Sequence, residues 1–176
     1  MIYQKVLFSK DECNRILNEH NTFVKSKIVH NSSFYKEDNL IRTSNESTIP
    51  LSFELKTLLL NKLSFLGITS LPNYNKVLRY EKGQEFKKHQ DKGSDSITIK
   101  RYKTLIIQLS DEIEYEGGEL IIWDTNEIIA DKHIGNFIMF DSSSYHQAKP
   151  ILDGIRYVFV MWLEKQNLNN QKSHLL

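Results

Sequence analysis

After Pro72 the sequence breaks into short runs rich in Ile, Val, Tyr and Phe, separated by clusters of Gly, Asp, Ser and Asn. The clearest are Lys76 to Tyr80, Lys103 to Leu109, Glu119 to Trp123, Asn136 to Phe140 and Arg156 to Leu163. Such runs, bounded by turn formers, predict short antiparallel strands closed into a sandwich or barrel.

The first 72 residues read differently. Ser9 is followed three residues later by Glu12, with apolar Cys13, Ile16 and Leu17 at helical spacing, which predicts a short capped helix. Phe53, Leu55, Leu58, Leu59, Leu63 and Phe65 recur at three and four and predict a second helix, closed by Gly67 at its C-terminal cap. Between them, residues 30–50 are rich in turn formers and read as loop, with a short strand around Leu40 to Arg42. Residues 92–100 form a long polar connection of the kind that serves as a lid, and the polar tail 166–176 is expected to fray.

Composition narrows the function classes. A chain of 176 residues predicts one domain spanning residues 1–165, helical over residues 1–72 and β over residues 73–165. Its 23 Lys+Arg against 22 Asp+Glu remove the global charge expected of a nucleic-acid or membrane-surface binder. The single cysteine, Cys13, cannot form an internal disulfide or a Cys-rich zinc knuckle. With neither a secretory leader nor a long apolar stretch, the expectation is a cytoplasmic protein without a membrane partner, as monomer or homodimer.

The chemistry concentrates in the β half. In His89-Gln90-Asp91 the outer two residues emerge on one face of a strand and can converge on one ion. His146, 55 residues on, heads another predicted strand. Two imidazoles and one carboxylate on one face of an octahedral ion form the facial triad of non-haem Fe(II) oxygenases. His-X-Asp alone is a weak motif, and an exposed strand pair is its plain alternative. Arg156 shifts the balance: a charge at the head of the apolar run Tyr157 to Trp162 is costly to bury unless an anion pairs with it.

These residues carry a family resemblance. Val77 through Tyr80, Gly83 and Phe86 to His89 and Asp91 resembles the first iron strand of the Fe(II)/2-oxoglutarate-dependent dioxygenases, most closely their prolyl 4-hydroxylase-like branch. Arg101 to Ser110 and Glu116 to Leu120 resemble its central strands, and Phe140-Asp141 through His146, Pro150, Gly154 and Arg156 its closing ones. Arg42-Thr43-Ser44 and the helix start at Ser9 fit as well.

The resemblance implies a mainly β fold, a double-stranded β-helix of jelly-roll or cupin-like type with about two N-terminal helices packed on one sheet. It implies Fe(II) at His89, Asp91 and His146, and 2-oxoglutarate held by Arg156 with help from Tyr80. O2 is the oxidant, with ascorbate an optional addition. The implied reaction hydroxylates an unactivated C–H bond, releasing succinate and CO2. Asp91 itself favours hydroxylation, since related halogenases have a small residue there. Arg101, Trp162, Phe86, Thr104 and Asp141 are implied around the substrate or behind the ligands.

For substrate, the branch suggests a prolyl or other side chain of a peptide or protein. Phe86 and Leu120 each lack a hydroxyl that the branch commonly carries, which brings in a free amino acid or small metabolite as the alternative. Trp162 stands where nucleic-acid-directed relatives carry an arginine, which argues against nucleic acid despite seven basic residues between 82 and 103. A nucleic-acid-directed oxygenase and a non-catalytic binding or sensing module are the further alternatives.

Overall fold

The computed structural model describes residues 2–30, 34–36, 40–72 and 74–167. The expected tail from 168 onward lies outside them. In chain order the elements are β1 (Tyr3–Val6), α1 (Lys10–Glu19), β2 (Val24–Lys25), β3 (Ile28–His30), β4 (Phe34–Lys36), β5 (Asn45–Ser47) and α2 (Phe53–Leu63). There follow β6 (Asn75–Glu81), β7 (Phe86–His89), β8 (Lys103–Gln108), β9 (Tyr115–Gly117) and β10 (Leu120–Trp123). β11 (Glu127–Ile129), β12 (Asn136–Asp141), β13 (Tyr145–Ala148) and β14 (Ile151–Leu163) complete the order.

The strands form two main antiparallel sheets. The larger runs β1-β12-β8-β14-β6-β5-β2, with β9 attached to β14; the smaller runs β11-β10-β13-β7. This is the expected jelly-roll architecture, and the period of two along its strands builds two cores from one set of sequences. Val77, Leu105, Ile107, Phe137, Met139, Phe159 and Met161 face outward from the large sheet onto α1 and α2. Their alternates Leu78, Tyr80, Ile106, Ile138, Phe140, Val158, Val160 and Trp162 face the space between the sheets. Polar Lys76, Thr104, Gln108 and Arg156 share the parity of that second set, so strand geometry alone aims them at the interior.

Both helices start as the sequence predicts. The Ser9 Oγ accepts from the Glu12 N–H at 3.2 Å while Glu12 Oε2 accepts from the Ser9 N–H at 2.8 Å, a complete capping box. Ser52 Oγ caps α2 by accepting from the Leu55 N–H at 3.2 Å. A single tight turn at 64–66 then ends on Gly67, whose φ of 76° is left-handed. Their apolar faces, with Ile16, Leu55, Leu59 and Leu63 fully buried, cover the outer core. No helix among the described residues is long and apolar enough to cross a membrane.

The segment between the helices departs from the loop reading. It holds β2 to β5, and the Leu40 to Arg42 strand is instead a lone bridge from Arg42 to Phe86. Turn-forming composition hid strands that exist because a partner is already in place: β5 pairs with β6 through Glu46↔Leu78 and Ser47↔Val77. The N-terminal 72 residues are therefore mixed rather than helical. The 92–100 connection is built around Asp95, whose Oδ1 accepts from the N–H groups of Ile97 and Thr98 at 2.9 Å each.

Candidate functional site

Two cross-strand pairings on facing sheets make the site. In the small sheet His146 on β13 sits opposite His89 on β7, and in the large sheet Arg156 on β14 sits opposite Tyr80 on β6. Asp91 lies just past the end of β7, not on the strand. It reaches the histidines all the same: His89 Nε2 is 3.6 Å from Asp91 Oδ1, and His146 Nε2 is 3.4 Å from Asp91 Oδ2.

The imidazoles are turned the same way by the same device. His89 Nδ1 lies 2.7 Å from the Lys87 carbonyl oxygen and His146 Nδ1 lies 3.1 Å from that of Ser144. An Nδ1–H donated to a carbonyl leaves the Nε2 lone pair toward the centre. Phe86 stacks on His89 at 3.5 Å between ring centroids, and Phe140 meets His146 edge-on at 4.8 Å, so neither ring is free to swing.

Protonation states suit a cation. Burial, followed by the facing His146, holds the His89 imidazole below its ordinary value, so it is neutral at pH 7. Burial raises the Asp91 carboxyl, but proton-bearing imidazoles at His146 and His89 outweigh it and hold the group well below the usual carboxylate range, a part that a cation takes over where the Nε2 lone pairs face the centre. Behind it, Thr104 Oγ1 donates to Asp91 Oδ2 at 2.7 Å and lies 3.0 Å from Ser142 Oγ.

A resident transition metal fits this arrangement. One ligand atom from each of His89, Asp91 and His146 falls within 4.8 Å of the others. Neighbouring vertices of an octahedron with ~2.1 Å bonds are about 3 Å apart, so a small adjustment closes the set. His89 Nε2 is buried and has no hydrogen-bond partner, which is costly for a polar atom unless something occupies the centre. A second metal-like cluster among the described residues, Glu112, Asp131 and His133, is exposed.

Arg156 is 5 % exposed, and its Nε donates to Gln108 Oε1 at 3.2 Å. Gln108 Nε2 in turn donates to the Tyr115 hydroxyl at 2.9 Å. Gly118, at φ +64°, keeps this seat open, because a Cβ there would stand 2.4 Å from Ile151 Cδ1 and 3.2 Å from Arg156 Cδ. Tyr80 is buried beside it, with the guanidinium carbon 5.8 Å from its ring centroid. Tyr80, Arg156, His146 and Leu120 line one inner cavity with His89 and Asp91.

The expected surrounding residues divide. Trp162 lines both the inner cavity and the outer one above His89, and Phe86 does the same. Arg101 donates from Nη1 to the Asp91 carbonyl oxygen at 3.2 Å and lies 4.1 Å over the Trp162 ring. Thr104 supports Asp91 directly. Asp141 is a correction: its carboxylate is taken by Lys103 Nζ at 2.9 Å, and its neighbour Ser142 is the residue that reaches the ligand network. Its strand parity points it away from Thr104, which proximity in sequence to His146 does not reveal.

Gln108, Tyr115, Ser142, Lys76 and Glu46 are not singled out by the sequence. Lys76 and Gln108 do carry a signal, as polar residues inside apolar strands at the same parity as buried neighbours.

The family model described as "2OG-Fe(II) oxygenase superfamily" matches residues 75–164. A "PKHD-type hydroxylase" of Aliarcobacter butzleri (strain RM4018) is 29 % identical over 94 % of this chain and 77 % of its own length. Another, of Shewanella baltica (strain OS155 / ATCC BAA-1091), is 33 % identical over 56 % of this chain but only 46 % of its own length. Among solved structures, a Trichoplax adhaerens prolyl hydroxylase in complex with a hypoxia inducible factor oxygen degradation domain peptide fragment superposes with a TM-score of 0.70. It covers 94 % of this chain and 83 % of that one at 17 % identity, a likeness of fold.

Proposed function

Because this chain belongs to the 2OG-Fe(II) oxygenase superfamily, we propose that residues 1–165 act as one oxygenase unit hydroxylating an unactivated C–H bond. His89, Asp91 and His146 would hold Fe(II), and Arg156 the distal carboxylate of 2-oxoglutarate, with Tyr80 beside it. The single observation carrying this reading is the convergence of three ligand atoms within 4.8 Å, one of them an orphaned buried nitrogen, in the same cavity as Arg156. Family membership brings Fe(II), 2-oxoglutarate and O2 as the reagents. When bound, they supply the oxidising power that converts R–H, O2 and 2-oxoglutarate into R–OH, succinate and CO2.

The protein's own residues bind, orient and shield. Lys87 and Ser144 carbonyls fix the ligand imidazoles, Thr104 and Ser142 hold the carboxylate, and Gln108 and Tyr115 aim the Arg156 fork. Leu78, Ile106, Leu120, Val158 and Val160 keep the inner cavity dry, which strengthens each charged contact inside it. Asp91 fills the third ligand position with an anion and so leaves no protein-side vacancy for a halide.

The substrate is a peptide or protein side chain, with a prolyl ring as the first candidate; the likeness to a peptide-bound prolyl hydroxylase supports this kind. The outer cavity of about 250 Å³, open toward solvent and lined by Arg101 and Trp162, would admit one side chain from an extended segment. A free amino acid would fit the same space. Purified anaerobically with Fe(II), the protein should, once O2 is admitted, convert 2-oxoglutarate to succinate slowly, and faster with a substrate that gains 16 mass units. Absence of any 2-oxoglutarate turnover would refute the enzyme reading.

A further inference from the structure

The outer cavity is walled by more positive charge than the oxygenase reading requires. Lys76 and Arg42, 3 % and 6 % exposed, both line it. They share one counter-charge, since Lys76 Nζ lies 2.8 Å and Arg42 Nη2 3.4 Å from the same Oε2 of buried Glu46. Among the described residues, one carboxylate against two cations leaves this buried group net positive. Asp95, an acidic residue of the same wall, is half-buried and already accepts from two backbone N–H groups and the Thr98 hydroxyl. Asp91 belongs to the ligand set.

Hydrogen-bond donors point the same way. Trp162 Nε1 is buried without a hydrogen-bond partner, and Arg42 Nη2, ion-paired to Glu46 at 3.4 Å, makes no hydrogen bond; both residues are more than nine-tenths covered. Buried donors left without a hydrogen-bond partner are costly unless a ligand brings an acceptor. The co-substrate does not answer this need, because its distal carboxylate has its own seat at Arg156, Gln108 and Tyr115.

We infer that the substrate itself bears an anionic group, a carboxylate or a phosphate, which Lys76 and Arg42 grip in the outer cavity while the neighbouring carbon faces His89 and Asp91. The inference rests on the oxygenase reading and selects, among the peptide side chains and small molecules that reading admits, those with an acid group; a prolyl substrate would carry one beside the ring. The excess charge also shows in Lys76: burial, and then the Arg42 guanidinium, push its ammonium down to about 8 against the pull of Glu46. It remains mostly protonated at pH 7.

The test uses the full chain loaded with redox-inert Zn(II) and saturating 2-oxoglutarate, which occupies the Arg156 seat. Calorimetric titration compares the α-carboxamides of N-acetylglutamate, N-acetylphosphoserine and N-acetylglutamine, the last being the uncharged side-chain amide. One of the two anions should bind about ten-fold or more tightly than the amide, and the tighter one names the group. Lys76→Met should bring the preference below about two-fold, with Lys76→Gln as the second variant should the first not fold. Arg156→Met, titrated without 2-oxoglutarate, should keep the preference. No preference in the unaltered protein, or one that survives loss of Lys76, overturns the inference. Failure of 2-oxoglutarate to bind would instead refute the oxygenase reading, and the same titration on metal-free protein would still decide the chemistry of this cavity.

Discussion

Arg156 offers a perturbation in which stability and function should separate. Its guanidinium is 5 % exposed, yet its partners are neutral: Gln108 Oε1 accepts at 3.2 Å, and Tyr115 hydrogen-bonds beside it. Among the described residues no carboxylate forms an ion pair with it. Removing one member of a buried ion pair costs about 3–5 kcal/mol because it strands the other charge, but here none is stranded. Arg156→Met removes an uncompensated charge, which is favourable, and leaves the Gln108 carbonyl oxygen unpaired, which costs about 1–3 kcal/mol. The two nearly offset, so unfolding of the metal-free variant in urea should change by no more than about 1 kcal/mol. Binding of 2-oxoglutarate to the metal-loaded protein should lose about 2–5 kcal/mol, roughly thirty-fold to several-thousand-fold in Kd, by calorimetry. Arg156→Lys keeps a charge but not the planar fork and should fall between. A large stability loss with unaltered 2-oxoglutarate affinity would refute the reasoning, because it would make Arg156 a structural cation.

Thr104→Val removes the donor to Asp91 Oδ2 while preserving shape, and should weaken metal binding about 10- to 100-fold, measured by chelator competition, with the fold intact. Gly118→Ala forces a Cβ against Ile151 and Arg156 at a left-handed φ; about 1–3 kcal/mol of stability and a measurable share of the 2-oxoglutarate affinity should be lost together. Burial alone would raise the Glu12 carboxyl, but the Ser9 N–H and then Lys62, 2.9 Å away, hold it below its ordinary value. A depressed carboxyl stabilises the fold above its unfolded pKa of about 4.3 and stops doing so as pH falls through its folded value. Glu12→Gln should therefore cost about 0.5–1 kcal/mol at pH 7, and progressively less in urea titrations as pH falls through the folded value of Glu12.

Local chemistry was enough for the local features. Ser9 with Glu12 and the Gly67 stop are decided within one helical turn, and the strands from β6 onward follow from β-branched and aromatic runs whose period of two sorts one face from the other. The same period puts Tyr80, Thr104, Arg156 and Trp162 on the interior face once the sheets are formed, though the sequence offered their roles through the family resemblance; His89 and Asp91 converge although Asp91 lies past the end of β7. Tertiary structure decided the rest. β5 and the Arg42 bridge lie in turn-rich sequence and form only because β6 and β7 supply edges to pair with. Ser142 rather than Asp141 reaches the ligands because a one-residue step reverses the side chain, and the direction of that step depends on the register of β12 against β8. Glu46, Lys76 and Arg42 share one carboxylate only where β5 packs on β6. Hydrogen-bond register and cross-sheet contacts join residues tens of positions apart, and no pattern within either segment encodes that distance.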